Sequence, residues 1–111
     1  MILAILSTPS ITETLLNNLS EADFKLEDVS VVMGDTKVQN KIAHDTGPLK
    51  GVRPDQMGQK LAQLGVSAAN AELCSQALKA GKVVVMMEVE QAYAQAAEEM
   101  FSDARAQLIK E

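Results

Sequence analysis

Tryptophan is absent from this chain of 111 residues and aromatic residues make up only 3% of it. A core built without large rings must be assembled from Leu, Ile, Val, Met and Ala, and six methionines supply adaptable filling for it. Cys74 is the single cysteine, which excludes an intrachain disulfide and makes the cytoplasm the expected compartment. His44 is the single histidine, so no Cys or His pair has the spacing of a zinc finger, and no metal or cofactor is implied. No apolar run approaches the ~20 residues that cross a bilayer. The apolar opening, Met1 to Leu6, lacks the basic flank and length of a signal peptide, so no membrane partner is expected.

The charge is also lopsided. Fifteen acidic residues face ten basic ones, a net charge of −5 that disfavours a nucleic-acid backbone as the main partner. Between Gly34 and Lys60, however, five cations (Lys37, Lys41, Lys50, Arg53, Lys60) outnumber three aspartates. Only this middle stretch can attract an anion by charge.

The most ordered signal lies in K-V-V-V-M-M-E-V, Lys82 to Val89. An unbroken apolar run of this length predicts a strand in the middle of a sheet or covered on both sides. Met1 to Ser7 reads as a first strand. Thr8 and Pro9, or Ser10 with Glu13, can start a helix carrying Ile11, Leu15, Leu16 and Leu19 inward, with Thr12 outward, and ending near Ala22. Val29 to Met33 reads as a second strand, ended by Gly34 and Asp35. Strand, helix, strand in so short a span is a βαβ unit, and its split form leaves room between the two strands for the Lys82 to Val89 strand.

Asp35 to Arg53 carries glycine, proline and no clean period, and reads as a polar loop insertion. A helical pair is expected over 54–80, the first helix closed by Gly65 and the second capped by Ser67, burying Ala69, Leu73 and Ala77, with Cys74 and Leu78 beside them, before Gly81. From Gln91 to Lys110 a long helix is expected, with Tyr93, Ala97, Met100, Ala104 and Leu108 on its inner stripe. The expected architecture is an α/β (α+β) ferredoxin-like split β-α-β sandwich, β-α-β-(αα)-β-α. Its three-stranded sheet runs in the order 1-3-2 with helices on one face and the helical pair at an edge. Apolar strands on an open face invite association, so a homodimer is expected.

Two blocks carry a family resemblance. Phe24 followed by Asp28-Val29-Ser30-Val31-Val32, then Leu64-Gly65-Val66-Ser67, Ala71, Leu78, Gly81 and Val83-Val84-Val85, are similar to the pattern of the heat-induced stress proteins of the YflT, or general stress protein 17M-like, family. The chain looks like a short form lacking the Gly- and Ala-rich insert of many relatives. The resemblance implies a stress-associated protein and carries no catalytic residues.

Three functional readings follow. The first is a non-enzymatic protein acting through self-association or a protein partner. The second is a regulatory domain holding a small anionic metabolite or nucleotide at His44, Lys50 and Arg53, where glycines would let backbone amides reach a phosphate; the spacing matches neither a P-loop nor a dinucleotide fingerprint, and a solvated loop is the plain alternative. The third is a helix-turn-helix over 59–81, whose reading helix carries Glu72, Asn70 and Gln76 but no Lys or Arg until its end. Glu88 and Glu90, two apart at a strand end, read as a strand leaving for solvent.

Overall fold

In a computed structural model, which describes residues 1–110, the chain folds as a mixed α/β protein built on a four-stranded antiparallel sheet. The strands are β1 (Ile2–Leu6), β2 (Val29–Met33), β3 (Val83–Met87) and β4 (Gln107–Leu108), in the order β2-β3-β1-β4. The helices are α1 (Pro9–Glu21), α2 (Thr36–Ile42), α3 (Met57–Gln63), α4 (Ala68–Lys79) and α5 (Gln91–Asp103). β3 lies between β1 and β2 and is antiparallel to both, in registers that pair Val85 with Ala4 on one side and with Val31 on the other. The expected order 1-3-2 is therefore present, extended by a fourth strand on the free edge of β1.

Helices cover both faces of this sheet, which corrects the expectation of one covered face. Every residue of β1, β2 and β3 is buried. Side chains alternate between faces, so all five can be buried only if both faces are roofed. On the first face Val83, Val85 and Met87 meet Leu15, Leu16 and Leu19 of α1 and Ala97 and Phe101 of α5. On the second, Val84 and Met86 meet Met57 and Leu61 of α3 and Cys74 and Leu78 of α4. The helical pair thus forms a full second layer instead of sitting at an edge.

Local chemistry explains most boundaries. Thr8 accepts a hydrogen bond from the Ile11 amide with Pro9 in the first turn, and Ser67 does the same for Asn70. Thr12, expected outward, is buried, its hydroxyl donating to the Thr8 carbonyl at 2.9 Å. In α4 the buried stripe is Ala71, Cys74, Ala77 and Leu78, while Ala69 and Leu73 face solvent. The stretch expected as a loop begins with a helix, α2, because the Asp35 carboxylate accepts from the Lys37 and Val38 amides. The rest of it crosses the outer edge of β2. Alternation turns the amides and carbonyls of Val29, Val31 and Met33 away from β3. Gln39 Oε1 accepts from the Met33 amide, Thr46 Oγ1 donates to the Val29 carbonyl, and the buried Ser30 hydroxyl donates to Thr46 O and accepts from Leu49 N, each of the last two at 2.7 Å. The edge is closed by these bonds and by fully buried Leu49.

The long final helix also stops early. α5 ends at Asp103, and Arg105 takes a left-handed conformation with φ 59°. The Arg105 amide donates to Ser102 O and the Ala106 amide to Phe101 O. This is a Schellman ending without its usual glycine, and it turns the chain back so that β4 pairs with Ala4 and Ile5.

Candidate functional site: a cleft at one end of the sheet

A cleft of about 550 Å³ lies where β3 ends and β1 and β2 begin. Three junctions meet there. Pairing between β2 and β3 runs one step past Met87, the Glu88 amide donating to the Asp28 carbonyl at 3.0 Å, which sets both side chains at the mouth. Glu90 then opens α5 with an extended backbone, and its carboxylate makes no capping bond, so it stays turned to the cleft. Asp23 closes α1 in the left-handed region at φ 68°, with the Phe24 amide donating to Leu19 O, and this turn brings Phe24 to the opposite wall.

The half-buried Val89 and Phe24 give the cleft its apolar floor, over Met87, which is itself buried. The rim carries four carboxylates, Asp23, Asp28, Glu88 and Glu90, against two ammonium groups, the side chain of Lys25 and the amino group of Met1. Tyr93 and Met1 hang over the same opening, and they are the most exposed large apolar side chains among the described residues, at 57% and 60%. Tyr93, expected on the inner stripe of α5, lies outside it because the first turn of that helix starts beyond the end of the sheet. An apolar floor inside a ring of negative charge suits a partner with a cationic, partly apolar protrusion.

The residues expected to hold an anion do not converge. His44 is exposed at the rim of a smaller cavity of about 300 Å³ whose walls include Leu16, Val29, Val31 and Ile42. Lys50 and Arg53 lie outside that lining. Asp45 spends its carboxylate on the Gly51 amide at 2.9 and 3.2 Å, and Arg53 sits 3.8 Å from Asp55 in open solvent. Gly47, at φ 80°, serves packing: a Cβ there would stand 2.5 Å from Ser30 Oγ and 2.7 Å from the Val29 carbonyl carbon. Gly47 lets the chain press on β2.

The other chemical groups are equally placed for structure. Cys74 is buried, and desolvation pushes its thiol up from 9.0 to about 11, which keeps it protonated and unreactive at neutral pH. Of the two side chains that could have touched bases, Asn70 donates to Lys110 O at 3.0 Å and Gln76 to Glu72 at 2.7 Å. Among the described residues no group of three His, Cys, Asp or Glu side chains is arranged to hold a metal ion, and no helix is long and apolar enough to cross a membrane.

Sequence reasoning found Glu88 and Glu90 but not the cleft. Asp23 and Asp28 are 60 to 67 residues away from them in the chain, and only the central position of β3, which places its end beside the starts of both neighbours, unites the four. The readable signal was Tyr93 three residues after Glu90, at the first turn of a helix that leaves a sheet. The chain matches no protein-family model, no curated protein and no solved structure.

Proposed function

We propose that this chain is a non-enzymatic, stress-associated protein that works by binding protein, in the first place a second copy of itself, through the cleft at the Glu88 end of the sheet. The observation that carries this reading is the meeting of Tyr93 and Met1, both more than half exposed, over one apolar floor. Exposed aromatics beside a concave apolar surface are the usual anchors of protein contacts. The stress association comes from the similarity of the Asp28 to Val32 and Leu64 to Val85 blocks to the heat-induced stress family. A ferredoxin-like arrangement, doubled by a second helical layer, is the fold that this reading assigns, and a reducing compartment such as the cytoplasm suits its free buried thiol.

The route to association differs from the one first expected. Both faces are roofed and the β2 edge is closed by the Thr46 to Leu49 segment, so sheet surfaces are not what a partner meets. The reading of a bound anionic metabolite has less support, since His44 borders an apolar cavity that Lys50 and Arg53 do not reach.

Sedimentation equilibrium over a wide concentration range tests the proposal. The weight-average mass should rise above that of the monomer, and Tyr93→Ser should move the rise to concentrations about tenfold higher, a loss of about 1.4 kcal/mol. A monomer at every concentration, or a Tyr93→Ser curve that overlays the parent, would refute it.

A further inference from the structure

The two ends of the sheet carry opposite charge. At the cleft end the chain places Asp23, Asp28, Glu88 and Glu90 against Lys25 and the amino group of Met1. At the other end β3 begins, and Lys82 stands one residue before it while Lys79 closes α4. Lys37 and Asp35, at the start of α2, belong to the same end, because the carbonyl of Leu78 lies only 3.3 Å from where a Cβ on Gly34 would be, which leaves three lysines there against one carboxylate whose oxygen is already held by the Lys37 and Val38 amides. The five residues of β3 separate the two groups by roughly 16 Å. None of these lysines, and none of the four cleft carboxylates, is within ion-pairing distance of an opposite charge among the described residues; the ion pairs there are Arg53 with Asp55 and Lys110 with Glu98.

The basic end also has a shape. Lys79, Ala80, Gly81 and Lys82 are all exposed and form the turn from α4 into β3. Gly81 stands at φ 82°, with no atom within 4 Å of where its Cβ would be, so a partner can approach the turn closely at that point. A narrow knob of two small residues flanked by two ammonium groups is the complement of an apolar cleft rimmed by carboxylates.

Resting on the self-association proposed above, we infer that the occupant of the cleft is the Lys79-Ala80-Gly81-Lys82 turn of a second copy, which makes the association head to tail. Ala80 and Gly81 meet Val89 and Phe24, and the lysines meet the carboxylates, one of them over the ring of Tyr93. Such a contact is heterologous. The knob of one copy and the cleft of the same copy are at opposite ends, so each molecule added leaves one knob and one cleft free, and assembly proceeds past the dimer unless the rotation closes a ring. Contact through one turn is smaller than the ~1,200 Å² of a standard stable interface, so the assembly forms and dissolves with concentration and salt.

A charge-swap experiment tests this. Three samples are compared by sedimentation velocity at about 0.05 M and about 0.5 M ionic strength: the parent, the Lys79→Glu/Lys82→Glu variant and the Glu88→Lys/Glu90→Lys variant, each first checked by circular dichroism. The parent should grow beyond a dimer with concentration at low salt and lose most of that growth at high salt. Either variant alone should associate at least tenfold more weakly, and an equimolar mixture of the two should recover, since both pairings in the mixture are again of opposite sign. Should a reversal disturb folding, Lys79→Gln with Lys82→Gln tests the weakening alone at half the charge change, and a variant that associates as the parent does overturns the contact. A parent that associates, with variants that associate as it does or with no recovery on mixing, overturns the head-to-tail contact and leaves self-association standing. A parent that is monomeric throughout overturns both.

Discussion

Glycine and serine positions show how single residues decide what the chain between β2 and α3 does. Gly47 and Gly51 both have positive φ, 80° and 77°, and the same turn chemistry in sequence. They differ in what surrounds them. An alanine at 51 would meet nothing within 4 Å and should cost about 1 kcal/mol for its left-handed backbone. At 47 its methyl would collide with backbone atoms of Val29 and Ser30, so Gly47→Ala should cost at least about 2 kcal/mol and loosen the segment over β2. Urea unfolding of the two variants checks the difference, and equal losses would mean that the loop does not press on the strand. Glycines beside cations raised an anion site here, next to the plainer reading of a solvated loop, because glycine signals close approach without saying to what. Ser30 in the D-V-S-V-V motif is the other half of the answer, since its hydroxyl ties Thr46 and Leu49 to the strand.

Cys74 gives a prediction in pH. Its folded-state thiol is lifted to about 11 by desolvation, above the unfolded value, so between roughly pH 9 and 11 the native chain keeps a proton that the unfolded chain has lost. Stability from this group is full below pH 9 and is lost as pH rises through the window, by up to about 1.4 kcal/mol per pH unit. Cys74→Ala should be less stable at neutral pH, from the space it leaves, and should lack that part of the alkaline slope. Chemical unfolding at pH 8 and pH 10.5 measures both. An identical slope in the variant would show the thiol to be solvated.

At the scale of elements, what was legible depended on whether a helix ended on glycine. α3 and α4 end at Gly65 and Gly81, and each was placed within a residue or two. All four of α1, α3, α4 and α5 close with the same pair of bonds, but α1 uses Asp23 and α5 uses Arg105 at the left-handed position. For α1 the loss of apolar period marked the end anyway. For α5 the stripe continued through Ala104 and Leu108, nothing announced a stop, and β4 went unseen. Since a left-handed arginine costs about 1–2 kcal/mol and glycine returns about 0.5–1 kcal/mol of that as chain entropy, Arg105→Gly should stabilise the fold by roughly 0.5–1 kcal/mol. The urea midpoint should rise with no change in slope. A falling midpoint would mean that the arginine side chain contributes more than its backbone loses. The second helical layer was missed for a different reason. The unbroken apolar runs of β1, β2 and β3 required two roofs, and the helical pair that supplies the second, α3 and α4, was expected but set at an edge of the sheet.

For the molecule as a whole, the central strand sets both structure and charge geometry. Because β3 is antiparallel to both neighbours, its end lies beside the starts of β1 and β2, and residues far apart in sequence gather into one acidic cleft. Net charge reveals nothing of this arrangement, since −5 averages an acidic end and a basic one. The composition that hid the site also supplies its probe. Tyr93 is the only tyrosine and there is no tryptophan, so ultraviolet fluorescence of this protein reports on the cleft alone. The most direct test is acrylamide quenching of that emission, followed from dilute to concentrated protein at low salt alongside the sedimenting mass. If the cleft is where copies meet, the quenching constant should fall in step with the rise in mass and recover when salt is added. A quenching constant that stays level while the mass climbs would place the contact elsewhere and contradict the account.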